Sequence, residues 1–573
     1  MERLEYPDGV YDFKDLVTGG FYFVDKTMMV RDVCRAPGMV LLYTRPRRFG
    51  KSVNLSMLDY FFNMEHKDEP NLFEGLSISR CDECQEHRNA YPVIRMNFGK
   101  LKTGSEEKLD GSLENVVSEA ADRILRSYDS NVFKKHDIGF LERCRDGCLD
   151  NIRIDDSISK ICRILEWTFG KKSIILVDEY DHCVQNVSSE NEYKAIVDRM
   201  RPFMEQTFKF NDSLRTGVVT GIMPLVKAGM LSSFNNPVVC DIISTEGQEW
   251  FGFTEREVDS ILSESGNDRP GVMEEIREWY DGYRFGSAEM YNPYSVMKYL
   301  KSGCSRGSYW DGSTSGGLSA DLVSRLGAEP LAVLKAMRED LGFSVCAEMD
   351  QRIDHAELFS PNVKPNSVYS YLAMAGYLKA SRLDEIGPGT RPMCRFGMVN
   401  REIAPAFDSL VERAERIGMY SGSAMDAVYA RDPTRSKTSI EALLAGFKMD
   451  STWKLEDSPV ERHNRYRDLI AAYLLSPDMA MSTESPKGYG LTDIFYPGFR
   501  GKPPVIVEVK STIDPHADLK SLAKEALDQI DDRRYADEPG TEGAVRVGIG
   551  VRMKTIEVAF QRRPLPPYIF IIP

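Results

Sequence analysis

Residues 40–52 read Val40-Leu41-Leu42-Tyr43-Thr44-Arg45-Pro46-Arg47-Arg48-Phe49-Gly50-Lys51-Ser52. An apolar strand runs into a loop that closes on Gly-Lys-Ser, where a helix is expected to begin. That ending is the half of a P-loop that does the chemistry. Backbone N–H groups from Arg48, Phe49, Gly50, Lys51 and Ser52 can form an anion nest at the helix start, where the helix dipole also favours negative charge. The Lys51 ammonium reaches the β- and γ-phosphates of a nucleotide, and the Ser52 hydroxyl can ligate Mg²⁺. A standard P-loop has glycine five residues before its second glycine. Here that position is Arg45. With Arg47 and Arg48 it makes the loop basic, either as a solvated turn or as the neighbour of a triphosphate.

A second stretch supports the first. Ser173-Ile174-Ile175-Leu176-Val177-Asp178-Glu179-Tyr180-Asp181 is an apolar run that ends in carboxylates. Four consecutive apolar residues suit a strand covered on both faces, and the C-terminal ends of such strands are where open α/β sheets collect ligands. Asp178 there can hold Mg²⁺, and Glu179 can orient or deprotonate the attacking water. Phosphoryl transfer needs positioning and charge neutralisation, which this pair supplies together with Lys51 and Ser52. A third run, Val218-Val219-Thr220-Gly221, offers Thr220 as a polar sensor of the γ-phosphate or as a plain strand-end turn.

Strand-like runs at 39–43, 93–98, 174–177, 218–222 and 238–243 alternate with longer helical segments. Such alternation predicts a parallel sheet with helices on both faces, an α/β P-loop NTPase architecture. The expected division is a nucleotide-binding domain over 1–285, a mostly helical middle over 286–440 with Gly/Ser breaks at 311–317, and a third domain over 441–573.

These strings resemble the prokaryotic AAA-ATPase-like family. Phe23-Val24-Asp25-Lys26-Thr27, Arg45-Pro46-Arg47-Arg48-Phe49-Gly50-Lys51-Ser52 and Val177-Asp178-Glu179-Tyr180-Asp181 carry the likeness. Phe251-Gly252-Phe253-Thr254-Glu255, Trp279-Tyr280-Asp281-Gly282-Tyr283-Arg284-Phe285-Gly286, Tyr291-Asn292-Pro293-Tyr294 and Ala375-Gly376-Tyr377-Leu378 follow in the family's order. The resemblance implies an ATPase core with a helical lid, using ATP and Mg²⁺, and makes arginine at position 45 the family's own way of writing its P-loop. Arg284 could serve as a second sensor from the lid or sit on the surface. Asp25 and Thr27 could lie near the nucleotide or cap the first helix. An arginine finger has no local pattern, so the sequence leaves the oligomeric state open.

The last segment carries another constellation. Gly490-Leu491-Thr492-Asp493-Ile494 and Val505-Ile506-Val507-Glu508-Val509-Lys510 flank a turn rich in Pro and Gly at 497–503. Side chains alternate along a strand, so Glu508 and Lys510 share one face, and a hairpin brings Asp493 beside Glu508. Asp493, Glu508 and the Val509 carbonyl could hold Mg²⁺, with Lys510 positioning water or stabilising developing charge. Members of the resembled family commonly end in a domain of the PD-(D/E)XK nuclease superfamily, which implies a restriction-endonuclease-like α/β fold acting on DNA or RNA. Glu461 on an upstream helix, then Gln529-Ile530 and Tyr535 on a downstream one, follow that core's order. Glu461 is expected either to extend the metal site or to occupy a helix face. The alternative is a nucleotide-dependent binding or signalling module with an inert nuclease fold.

Composition frames these readings. The 573 residues are 42% hydrophobic and 28% charged, with a net charge of −14. No apolar run of transmembrane length appears, and the first residues lack the apolar centre of a secretory signal. A cytoplasmic protein away from the membrane is expected, and a chain this acidic is not a bulk nucleic-acid coat. Eleven cysteines without framework spacing suit reduced thiols. Cys81-Asp82-Glu83-Cys84, with His87 close by and Cys144 and Cys148 further on, has half the spacing of a zinc site and otherwise reads as a surface loop.

Overall fold

A computed structural model of the chain describes residues 5–103, 105–148, 151–185, 187, 190–224, 234, 236–310, 322–323, 326, 328–351, 353, 358, 363–383, 391–446, 458–474, 482–498 and 502–561. Contacts group the chain into two compact units. One comprises Met1–Ser319, Ala332–Phe359 and Lys364–Leu410; the other comprises Ala320–Leu331, Ser360–Val363 and Val411–Pro573. No helix among the described residues is long and apolar enough to cross a membrane.

Five parallel strands form the sheet of the first unit: β1 (Val40–Thr44), β2 (Val93–Asn97), β3 (Ser173–Asp178), β4 (Leu214–Gly221) and β5 (Pro237–Cys240). They are the five runs marked by the apolar pattern, in the spatial order β2-β3-β4-β1-β5. Every residue of β1 and β3 is buried, as strands covered on both faces require. Helices Glu106–Ser127, Asn151–Phe169 and Glu190–Phe208 supply much of that cover; Leu113, Val117, Ile158 and Met200 join Leu42, Ile175 and Val177 in one core. Because β4 lies between β1 and β3, Tyr43 pairs with Thr220 and Val177 pairs with Val219. The C-terminal ends of the three motif-bearing strands are therefore side by side.

The same unit continues through helices Glu255–Ser265, Val272–Tyr280 and Pro293–Lys301 and the hairpin β6 (Tyr283–Phe285) and β7 (Ala288–Met290). Thr254 and Glu257 form a capping box at the first of these helices, and Glu257 also pairs with Lys26 at 2.6 Å. The middle region, expected to be mostly helical, also holds an antiparallel sheet of β8 (Ser344–Glu348), β9 (Leu378–Arg382) and β10 (Met393–Met398), ordered β8-β10-β9. Strands such as Leu378-Lys379-Ala380-Ser381-Arg382 are half exposed, so they lack the apolar run that marks a buried strand. The Gly/Ser stretch 311–317 lies outside the described residues.

The second unit contains β11 (Ser482–Lys487), β12 (Gly490–Tyr496), β13 (Val505–Ser511), β14 (Val545–Arg552) and β15 (Thr555–Phe560), paired in that order. β13 and β14 are parallel and the other neighbours antiparallel. The crossover between the parallel strands contains helix Leu519–Asp532. It lies so close to β14 that a Cβ at Gly548 would collide with the Ala523 carbonyl oxygen. Helix Pro459–Leu474 packs on β13, with Tyr466 and Ile470 in a core shared with Ile494, Val507 and Val509. The predicted hairpin forms, with Ile494 opposite Val507; residues 499–501 of its turn lie outside the described residues. The edge strand β11 was not expected, because Ser-Thr-Glu-Ser-Pro-Lys shows no apolar alternation.

Candidate functional site

Gly50 caps helix Lys51–Phe62 in the left-handed conformation, with φ 77°, and offers no side-chain partner to the first helical N–H groups. Arg48 is also left-handed, with φ 70°. The loop thus curls over a helix start whose orphan donors suit an anion. Lys51 is buried and donates to the carbonyls of Arg45 at 3.0 Å and Pro46 at 2.7 Å. Burial brings its ammonium down to about 8, against the attraction of Asp178, Asp181 and Glu179.

Asp178 is the meeting point of this site. Its Oδ2 accepts from Ser52 Oγ at 2.6 Å, and its Oδ1 accepts from Thr220 Oγ1 at 2.6 Å and from the Glu179 N–H at 3.0 Å. Glu179 itself has φ 53° and a half-exposed carboxylate whose Oε2 lies 3.7 Å from His182 Nδ1. Gly99 makes room for that carboxylate, since a Cβ there would collide with Oε2. One acid is therefore locked among hydroxyls while its neighbour reaches toward solvent.

In the second unit, Asp493 of β12 and Glu508 of β13 face each other. The Asp493 N–H donates to Glu508 Oε1 at 3.1 Å, and the Val509 N–H donates to Asp493 Oδ2 at 2.8 Å. His463 Nε2, from helix Pro459–Leu474, lies 3.0 Å from Asp493 Oδ1. Gln529 Nε2 donates to Glu508 Oε2 at 3.0 Å, and Tyr535 donates to the Leu491 carbonyl at 2.9 Å. Burial, reinforced by the charge on Asp493 and opposed by Lys510, pushes the Glu508 carboxyl above the usual range. Burial also works against Asp493, but His463 and the Val509 N–H outweigh it and hold that carboxyl low. Two carboxyls so close share a proton unless a cation joins them.

Residues 7–231 match the model of the AAA-ATPase-like family, described as a predicted AAA-ATPase. That span holds Lys51, Ser52, Asp178, Glu179 and Thr220, and the match supports nucleotide binding. A protein of Azotobacter chroococcum mcd 1, named only as an uncharacterized protein in the vnfD 5′ region, is 25% identical over 558 residues and covers 95% of each chain. The Walker-type ATPase PABY2304 of Pyrococcus abyssi aligns with a TM-score of 0.34 at 13% identity, over 71% of this chain and 99% of that one.

Several side chains of the first unit have roles the sequence did not reveal. Arg45 is fully buried and does not supply a cation at the loop surface. Its guanidinium donates to the carbonyls of Thr44 at 2.8 Å, Cys240 at 2.7 Å and Gly247 at 3.1 Å. It also lies 4.7 Å from the Phe285 ring centroid, and burial lowers it to about 10. The Phe49 ring packs edge-on against Tyr283 at 4.8 Å and Phe285 at 5.1 Å, which leaves only its backbone for the expected anion nest. Arg48 lies over Tyr294 at 4.2 Å, and Arg47 donates to Gln185 at 2.8 Å. Arg284 faces Glu289 across its hairpin at 3.9 Å. Asp25 accepts from Thr27 and from the Ser77 N–H, so it ties its loop to the segment that begins at Ser77.

Asp181 was overlooked although it closes the Asp-Glu-Tyr-Asp string. It is buried and accepts from the N–H groups of Ile222 at 2.9 Å and Met223 at 3.0 Å, which fixes the exit of β4. Glu461 and Ser458 bond each other reciprocally at the start of their helix, and the helix brings His463 to Asp493 instead. The cysteine pair does not recruit its expected partners: His87 bonds Tyr91 at 2.7 Å, Cys144 is in the core, and Cys148 donates to the Asp146 carbonyl.

Proposed function

We propose that this protein is a cytoplasmic, Mg²⁺-using ATPase whose C-terminal region, 441–573, is a PD-(D/E)XK-type nuclease acting on DNA or RNA. The ATPase region would span 1–285, with 286–440 as lid and linker. The carrying observation is the convergence of Ser52 and Thr220 on Asp178, beside a lysine already folded onto its P-loop.

The triphosphate would lie on the N–H groups of residues 48–52, with Lys51 exchanging loop carbonyls for phosphate oxygens. Ser52 and Asp178 are hard oxygen donors 2.6 Å apart, a set that suits Mg²⁺. Held by Ser52 and Asp178, Mg²⁺ would supply charge neutralisation at the β- and γ-phosphates. Glu179, with its carboxylate half exposed, orients the attacking water. Thr220 holds Asp178 in place.

Asp493 and Glu508 are likewise a hard donor pair, and the raised Glu508 carboxyl marks a place where a divalent cation would relieve repulsion. Asp493 and Glu508 would hold that ion, whose chemistry would be to polarise a phosphate oxygen. Lys510 positions water or meets the developing charge. His463 and Gln529 fix the two carboxylates from separate helices.

The test is ATP hydrolysis and metal-dependent cleavage of DNA and RNA by wild type, Lys51→Ala and Asp493→Ala. Lys51→Ala is expected to lose ATP binding, and Asp493→Ala to lose cleavage while keeping hydrolysis. Equal heats of ATP binding for wild type and Lys51→Ala would remove the nucleotide site. No difference in cleavage between wild type and Asp493→Ala would favour the inert-fold reading.

A further inference from the structure

Two thiols meet away from both sites just described, and a third sits on a helix packed against them. Cys34 ends helix Met29–Cys34, the element that leads into β1, and that helix packs against the short helix Asp82–Gln85. Cys81 and Cys84 flank and occupy the short helix with their sulfurs 3.1 Å apart, and all three cysteines are free thiols. The Cys34 thiol neighbours that of Cys84 from this packed helix and lies outside the tighter group that Cys84 forms with Cys81 and Glu83. The ligand atoms of Cys81, Glu83 and Cys84 lie within 4.8 Å of one another.

We propose that Cys34, Cys81, Cys84 and Glu83 form a structural site for a thiophilic divalent cation such as Zn²⁺. Three soft sulfurs and one carboxylate make the four-coordinate, closed donor set that such an ion prefers. An ion about 2.3 Å from each sulfur sets neighbouring sulfurs about 3.8 Å apart. The Cys81–Cys84 pair has to open by well under an ångström from its 3.1 Å separation. On binding, each of the three thiols gives up its proton to solvent.

Two arginines are placed to offset the negative charge that results. Arg35 pairs at 2.7 Å with Glu83 Oε1, the same oxygen that lies 3.9 Å from Cys81 Sγ, so a metal would share that carboxylate with the guanidinium. Arg215 donates to the Cys34 carbonyl at 3.3 Å. The CxxC is thus completed by a cysteine that precedes it by a strand and a helix, and the partners that sequence spacing suggested are not needed. The cross-link would join the approach to the P-loop strand with the segment between helix Lys51–Phe62 and β2.

The experiment uses the reduced, metal-free full chain titrated with Co²⁺ and then with Zn²⁺. One equivalent of Co²⁺ is expected to bind and give a thiolate-to-cobalt charge-transfer band that Zn²⁺ displaces. Cys34→Ser and the half-exposed Cys81→Ser should each weaken Co²⁺ binding at least tenfold, while Cys144→Ser and His87→Ala leave it unchanged. In wild type, Zn²⁺ should protect Cys34, Cys81 and Cys84 together from alkylation, mapped by mass spectrometry; this readout does not depend on any variant folding. Absence of the band, protection that maps to other cysteines, or a band unaltered by Cys34→Ser and Cys81→Ser overturns the proposal.

Discussion

Arg45 stands where a standard P-loop has glycine, and its guanidinium donates to three backbone carbonyls. Removing it strands those buried acceptors, at about 1–3 kcal/mol for each one left unsatisfied. Arg45→Gly, which restores the standard pattern letter for letter, is therefore predicted to lower stability by about 3 kcal/mol or more. Arg45→Lys should also destabilise, because it keeps the charge and loses the fork. Urea unfolding reads both; a variant as stable as wild type would show the carbonyl contacts to be dispensable. Lys51 gives a second prediction. Its folded value of about 8 lies below its ordinary 10.5. Below pH 8 the folded chain carries a buried charge at a cost, and between the two values the unfolded chain binds more protons. Its contribution to stability therefore rises with pH through that window. A bound triphosphate restores the charge, so ATP binding near pH 8 should take up a proton. Calorimetry in two buffers of different ionisation enthalpy detects this, and identical heats would rule it out. The candidate site residues are legible because Gly50-Lys51-Ser52, Asp178-Glu179 and Glu508-Lys510 are written as local strings. Arg45, Asp181 and His463 are not, because their partners Cys240, Met223 and Asp493 lie 195, 42 and 30 residues away.

At the scale of elements, legibility followed burial. β1 and β3 are covered on both faces and appear in the sequence as unbroken apolar runs. β8, β9 and β11 are half exposed or polar, and only their pairing partners make them strands. The C-terminal site depends on such a pairing. Glu508 is registered against Gly548, and helix Leu519–Asp532 sits where a Cβ at Gly548 would have to go. That same helix carries Gln529, which holds Glu508 Oε2 at 3.0 Å. Gly548→Ala is predicted to push the helix outward, cost about 1–3 kcal/mol and cut the proposed nuclease activity severalfold. ATP hydrolysis should stay within about twofold of wild type, since the substitution acts at the contact between β14 and its helix in the second unit and touches no P-loop residue. Urea unfolding and the two activity assays measure this. Unchanged cleavage by a destabilised Gly548→Ala would mean that the Gln529 contact does not set the position of Glu508.

The whole molecule joins two candidate phosphate chemistries in a chain of net charge −14. Overall charge therefore opposes nucleic acid, and any grip on a substrate comes from local cations, whose contribution falls steeply with salt. In the proposed reading a chain this acidic gains little from staying permanently engaged with nucleic acid, and Lys51 would change partners when a triphosphate arrives. These features and the covalent linkage motivate the hypothesis that nucleotide state controls cleavage. In the full chain, ATP is predicted to change the cleavage rate of wild type about tenfold or more, and Lys51→Ala should abolish that response while retaining its own metal-dependent rate. Lys510→Ala provides the reciprocal control: it should lose cleavage and keep ATP hydrolysis, separating loss of control from loss of folding. Rates are measured on labelled DNA and RNA at fixed salt, with and without ATP. Cleavage equally fast in all wild-type and Lys51→Ala reactions would leave two independent enzymes on one chain. A response to ATP that survives in Lys51→Ala would place the controlling nucleotide somewhere other than the P-loop.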